Sequence, residues 1–203
     1  MCWDGGLSQS FPQPPALEGK HVWLEPLTLD HLDTLCSVGL DPELWQWVPN
    51  PVRNRQEMLE YVETALEEQR RKVNMPFVTR LVADGQVVGS TRFANMDLKN
   101  RHVEIGWTWI GIPWQRTSVN TEAKYLMLQY AFDVLGCLRV ELKTDALNER
   151  SRAAIKRIGA KEEGVLRCHT LTAGGRMRDT VYYSILDNEW PTVKSVLQAK
   201  LAS

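Results

Sequence analysis

Glu104-Ile105-Gly106-Trp107-Thr108-Trp109-Ile110, followed after four residues by Gln115-Arg116-Thr117-Ser118-Val119-Asn120-Thr121-Glu122-Ala123, is the stretch on which the fold turns. In its first half Val103, Ile105, Trp107 and Trp109 alternate with His102, Glu104, Gly106 and Thr108, the period of a strand. From Val119 the spacing lengthens. Ala123, Met127, Tyr130, Ala131 and Val134 fall on one side of a helix running to about Leu135, with Gly136 placed to stop it. A strand that passes through a tight loop into a helix leaves the first helical N–H groups unbonded, with the positive end of the dipole behind them. Such a junction suits an anion. An ordinary strand-to-helix connection has the same outline.

Outward from this junction the chain alternates between the two periods. Upstream, Phe77 to Ala83 and Gln86 to Asn95 flank Asp84-Gly85, a strong hairpin signal. Before them lie a strand around Val22 to Pro26 and a short helix carrying Leu29, Leu32, Leu35 and Val38, with Thr28 as its N-cap. A loop containing Trp45 and Trp47 leads to a helix from about Arg55 to Lys72. Downstream, Leu138 to Lys143 reads as a strand and Asn148 to Ile158 as a helix ended by Gly159. Val165 to Leu171 and Met177 to Leu186 form a last antiparallel pair, and a final helix starts near Asp187. No repeat or second linker appears. These elements predict a single α+β domain over 17–203, a mixed, mostly antiparallel sheet of about seven strands flanked by helices, with 1–16 as an extended lead-in.

Composition narrows the function classes. Among 203 residues, 24 Lys and Arg against 25 Asp and Glu leave a net charge of −1, which argues against coating nucleic acid or an anionic membrane. A chain of this length buries roughly 70% of its unfolded surface and needs neither disulfides nor metals for a core. The four cysteines, Cys2, Cys36, Cys137 and Cys168, are scattered, and His21, His31 and His102 show no ligand spacing, so free thiols and no metal are expected. No 18-residue apolar run and no secretory leader are seen, so a cytoplasmic protein is expected, with neither nucleic acid nor membrane as partner.

The loop Gln115 to Ala123 resembles the acetyl-CoA loop of the GNAT N-acetyltransferase superfamily, in its ribosomal-protein N-terminal acetyltransferase branch. Three further pieces follow that branch's order. They are Glu104-Ile105-Gly106-Trp107, then Asn148-Glu149-Arg150-Ser151, then Ile158-Gly159-Ala160 with Glu163-Gly164-Val165-Leu166-Arg167. The likeness runs from about Leu17 to the C-terminal helix. Two glycines of the pattern are here Arg116 and Ser118, and the small residue at its end is Asn120. Serine keeps a close approach, and Asn tolerates left-handed backbone. Arg116 has three readings: a phosphate contact, a solvated side chain, or an obstruction of the loop.

The resemblance implies an acetyl-CoA-dependent N-acetyltransferase whose acceptor is a primary amine, either a protein N-terminus or a small molecule; monomer and homodimer are both open. It implies that Trp109 and Ile110 pair with the pantetheine arm, and that Gln115, Arg116, Thr117, Ser118, Val119, Asn120 and Thr121 hold the pyrophosphate. Asn148 and Ser151 would touch the pantetheine, thiol or attacking group, although Asn148 reads equally as a helix cap. Glu104 matches the proposed base, which helps because free amines are mostly protonated at neutral pH. A sheet ion pair with Arg101 or another cation is the other reading of Glu104. Ile155 occupies the position where a tyrosine usually protonates the leaving thiolate, leaving Ser151, His169 or water. For the acceptor, Trp45, Trp47, Arg92 and His169 are candidates, with Asn95, Arg178 and Asp179 near the same mouth, the tryptophans being equally readable as core and the polar residues as surface. The altered loop and missing tyrosine also admit a catalytically degenerate acyl-CoA-binding or protein-interaction domain.

Overall fold

The computed structural model describes residues 11–202; Cys2 and Trp3 lie outside them, as do residues 1–10 of the lead-in. In chain order the elements are β1 (Leu17–Glu18), β2 (Val22–Pro26), α1 (Leu32–Gly39), α2 (Arg55–Arg70), β3 (Met75–Leu81), β4 (Val87–Asp97) and β5 (His102–Ile110). There follow α3 (Ser118–Gln129), β6 (Arg139–Asp145), α4 (Glu149–Arg157), β7 (Lys161–Leu171), β8 (Met177–Leu186) and α5 (Trp190–Ala202). The described strands form one eight-stranded sheet in the order β1-β2-β3-β4-β5-β6-β8-β7. Every pairing is antiparallel except β5 with β6. The strand beyond the expected seven is the two-residue β1.

Each sheet face has its own apolar layer. Phe77, Phe93, Val103, Ile105, Val140 and Ile185 pack under α3 and α5 in one cluster, while Val78, Val87 and Trp109 meet Leu35, Met58 and Val62 of α1 and α2 in the other. Burying side chains of this size contributes about 1.5–3 kcal/mol each before entropy is counted. Phe11, from the lead-in, rests half-buried against the first cluster.

Two irregularities correct the periodic reading and set up the site. Between Ser90↔Trp109 and Arg92↔Gly106, β4 advances two residues while β5 advances three, a bulge centred on Trp107, whose φ is 48°. The bulge returns Ile110 to the face of Val103 and Ile105 and turns Trp109 to the opposite one, so the four-residue alternation ending at Trp109 does not hold. Directly after α3, the chain continues as a π-helical turn over Tyr130–Val134. That extra residue per turn rotates Val134 to 67% exposure and brings Phe132 inward instead, against the expectation of a buried Val134.

β5 and β6 pair only through His102↔Arg139, Val103↔Val140 and Glu104↔Glu141. Beyond these pairs β5 runs on to Ile110 and β6 to Asp145 with no ladder between them. The sheet is split from Glu104 onward.

Candidate active site at the split in the sheet

The split puts Glu104, the bulge and the α3 N-terminus side by side. Its facing edges carry backbone N–H and C=O groups that no strand satisfies, and such groups need partners. An extended ligand with amide groups fits this edge as a substitute strand. At the head of the split, Thr117 is the N-cap of α3 and accepts from the Val119 N–H at 3.3 Å. The loop is tied at both ends: Gln115 Nε2 donates to the Ile110 carbonyl at 2.8 Å, and Arg150 of α4 donates to Gln115 Oε1 at 2.8 Å. Arg157 of α4 donates to Thr121 Oγ1 at 3.2 Å. The helix N-terminus is therefore pre-set for an anion.

Arg116 holds φ at 62°, the left-handed conformation that a glycine takes without cost, and its side chain is exposed. Asn120 has a buried side-chain oxygen, Oδ1, that lacks a hydrogen-bond partner among the described residues. Asn148 caps α4 through Oδ1, which accepts from the Ser151 N–H at 3.0 Å; its amide nitrogen is not used in this cap. Ser151 is half-buried in the first turn of α4, and Ile155 is buried at 7% exposure.

Glu104 is 3% exposed. Its Oε2 accepts from Asn95 Nδ2 at 2.8 Å and pairs with Lys143 Nζ at 2.9 Å, so the sheet ion pair forms with Lys143 rather than Arg101. Its Oε1 lies over Gly106, where an added Cβ would come within 2.8 Å of it. The glycine of Glu-Ile-Gly-Trp is thus what lets the carboxylate lie along the strand beside the bulge.

Arg92, also on this face, is buried at 2% exposure, bonded to Glu68 at 3.1 Å and stacked over Tyr61 and Trp107. It is brought to the site, though as a buried residue and not a surface one. Trp45 is not: it is 5% exposed, packs against Tyr61 and Trp109, and donates from Nε1 to the Gly39 carbonyl at 2.7 Å. It offers a slot almost no surface, because the α1–α2 layer needs its ring. Trp47 is half-buried in the following turn. His169 stands on the exposed β7, 3.1 Å from Thr180 Oγ1 and edge-on to Tyr182. The α1–α2 loop and the last hairpin do meet, through the Ala173 N–H on the Pro49 carbonyl at 2.9 Å.

Lys143 and Lys124 escaped the sequence, whereas Asn95, a polar residue expected near the acceptor mouth, is brought to Glu104. Lys124, 6% exposed on α3, reaches under the split to Thr108 Oγ1 at 2.5 Å and Thr91 Oγ1 at 3.4 Å. Burial lowers its pKa to about 7. Unfolded, it titrates near 10.4. Between these values only the unfolded chain holds the proton, so stability rises with pH there, and below pH 7 the whole desolvation cost is present. Replacing Lys124 by Met removes this dependence. Urea unfolding at pH 7, 8 and 9 should show the variant's stability advantage shrinking by up to about 1.4 kcal/mol per unit. A constant difference would mean that the two threonine hydroxyls keep the ammonium charged.

Comparison with known proteins gives these features a setting. Residues 21–161 match the family described as "Acetyltransferase (GNAT) domain". YdaF of Bacillus subtilis (strain 168), provisionally named a ribosomal N-acetyltransferase, is 39% identical over 110 residues, 54% of this chain and 59% of that protein. The chain thus aligns with about three fifths of that relative. A GCN5-related N-acetyltransferase from Brucella melitensis is 34% identical with a TM-score of 0.85, over 94% of this chain and 86% of that one. RimJ of Mycobacterium smegmatis, solved in complex with CoA-disulfide, shares the fold at TM-score 0.77 and 24% identity, over 88% of each chain. Among the described residues no group of three or more His, Cys, Asp or Glu is arranged to hold a metal, and no helix is long and apolar enough to cross a membrane.

Proposed function

The chain belongs to the GNAT acetyltransferase family, and on that premise we propose that it moves an acetyl group from acetyl-CoA to a primary amine by direct attack. The observation that carries the reading is the unladdered split of β5 and β6 ending on the α3 N-terminus. Bound there, acetyl-CoA supplies an electrophilic thioester. The edge of Trp109 and Ile110 offers backbone partners to its pantetheine amides, and the N–H groups from Arg116 to Thr121 face its pyrophosphate. The amide nitrogen of Asn148 is a further donor for it. That RimJ of Mycobacterium smegmatis, which has this fold, is found in complex with CoA-disulfide supports a CoA site.

Glu104 receives the proton of the incoming amine at Oε1, directly or through water, while Lys143 and Asn95 hold Oε2 in place. The Ser151 hydroxyl, at the start of α4, gives the departing thiolate its proton in place of the tyrosine that Ile155 cannot replace. The name of YdaF favours a protein N-terminus as acceptor, and a small amine is the other class. The same reading puts the chain in the cytoplasm. Arg116 and Ile155 are what favours the second reading, a domain that binds acyl-CoA without turnover.

Titrating acetyl-CoA into the protein by calorimetry tests this. A single saturable site is expected, followed by thiol release on an amine panel. Binding without release on any amine would leave the second reading, and silence would remove both. Arg116→Gly should relieve left-handed backbone worth about 1 kcal/mol. It should also weaken acetyl-CoA binding about 3- to 10-fold at low salt, through loss of an exposed cation beside the phosphates. Tighter binding would show that the arginine obstructs the loop.

A further inference from the structure

On the sheet face that carries Glu104, cations and aromatic rings stand in a row across the strands. The Arg92 guanidinium lies 4.8 Å from the Tyr61 ring and 5.1 Å from that of Trp107. Lys143 Nζ lies 5.7 Å from Trp107 and 5.9 Å from Tyr182, its cross-strand partner on β8. Each of these cations has its own carboxylate, Glu68 for Arg92 at 3.1 Å and Glu104 for Lys143 at 2.9 Å.

The next cation on the face has none among the described residues. Arg178 shares one side of β8 with Thr180 and Tyr182, and Thr180 pairs with Asp145 at the open end of the split. Arg178 is 8% exposed, and its buried Nε has no hydrogen-bond partner among the described residues. The carboxylates within its electrostatic reach are Asp145 and Glu104, and both are engaged. Asp145 is ion-paired with Arg176 and accepts the Leu147 N–H at 3.0 Å, and Glu104 serves Lys143 and Asn95. Arg176, the other charged neighbour, repels it. A guanidinium taken out of water without an anion costs several kcal/mol. Of Arg92, Lys143, Arg176 and Arg178, only Arg178 lacks a carboxylate of its own among the described residues, and a guanidinium fork matches a carboxylate in shape.

We propose that Arg178 anchors an anion on the acceptor, so that the amine this chain acetylates carries a carboxylate, held by Arg178 while the amine faces Glu104. The proposal rests on the acetyl-transfer reading and narrows its acceptor. Two sources offer such a carboxylate: a free amino acid, and a peptide N-terminus followed closely by an acidic residue. Trp107, 39% exposed at the bulge between the two ends of the acceptor, is the surface its apolar part would cover.

Matched pairs test it. The twenty α-amino acids would be offered with acetyl-CoA beside their primary amides, and short peptides with Asp or Glu in the second or third position beside their Asn or Gln counterparts. In at least one pair kcat/KM should be about 10- to 100-fold higher for the acid, chiefly through KM. Arg178→Gln should erase that ratio, and Arg178→Lys, which keeps the charge without the fork, should retain part of it. A response confined to amino acids identifies the first source, and one confined to acidic peptides the second. Equal rates in every pair, or a ratio that survives Arg178→Gln, overturns the proposal. Should no amine turn over, thermal shifts with the same pairs in the presence of CoA decide. Stabilisation by acids alone, lost in Arg178→Gln, upholds the anchor, and its absence overturns it. Failure of acetyl-CoA to bind would instead sink the acetyl-transfer reading, leaving the anchor to be judged on those shifts.

Discussion

Glu104→Gln is expected to lower kcat about 100-fold or more while acetyl-CoA affinity changes less than about twofold. The substitution keeps the shape that lies over Gly106 and keeps one oxygen for Lys143 and Asn95, which both donate to Oε2. With that oxygen fixed by two donors, the new NH2 must take the place of Oε1. It then points a donor at the amine, where the carboxylate offered an acceptor. Packing survives and the polarity at the reacting position reverses. Loss of the Lys143 ion pair adds a stability cost, which Lys143→Met measures separately. If Glu104 were only Lys143's partner, both variants would lose similar stability and neither would lose much rate. If it takes the proton, the rate falls in Glu104→Gln beyond anything Lys143→Met does. Thiol release and urea unfolding on both variants separate the two cases.

Why Glu104 is legible in the sequence and Lys143 is not is a matter of period. The alternation from His102 to Ile105 is regular, so a polar residue between Val103 and Ile105 is visible as one facing away from their layer. Lys143 also alternates correctly on β6, but nothing in one sequence says that β6 pairs parallel with β5 and brings it to Glu104; that is a fact of sheet order. Arg178 and Asn95 are legible only as polar residues near the acceptor mouth, for the same reason. The bulge at Trp107 leaves only a weak trace, the adjacent Gly106, because a tryptophan at φ 48° is unexpected from propensity alone. Strict alternation in consequence puts Trp109 in the wrong layer. The loop at Arg116 is legible through the family resemblance, whose pattern has glycine there, and the backbone is left-handed although the residue is arginine. The π turn at Tyr130–Val134 is invisible, since it depends on how the end of α3 settles against Trp190 of α5, which packs on Phe132 and bonds Asp133.

Glu122→Ala should be the most damaging substitution to stability among those considered, by about 3–5 kcal/mol, even though Glu122 belongs to the Thr-Glu-Ala run that suggests a cofactor role. Its carboxylate does not face the split. Oε1 accepts from the Lys20 N–H at 2.9 Å, and Oε2 from His21 at 2.6 Å and Val22 at 2.7 Å, some hundred residues earlier in the chain. Gly19 completes the nest, since a Cβ there would stand 2.7 Å from both the Glu122 carboxyl carbon and the Val22 carbonyl. One buried side chain therefore closes the β1–β2 turn and fastens that edge of the sheet to α3. Removing it strands three backbone donors, one of them on the fully buried Val22. In a domain of this size the loss corresponds to a fall in Tm of roughly 10 °C. Amide exchange should quicken first at Lys20, His21 and Val22. Glu122→Gln, which keeps one acceptor but turns a donor toward the other N–H groups, should fall between wild type and alanine. The decisive comparison is with acetyl-CoA binding at a temperature where the variant is still folded. Binding kept with stability lost makes Glu122 the clamp of the first hairpin. Binding lost with Tm unmoved would place its carboxylate in the service of the cofactor loop, and the three backbone bonds would have to be worth far less than their geometry implies.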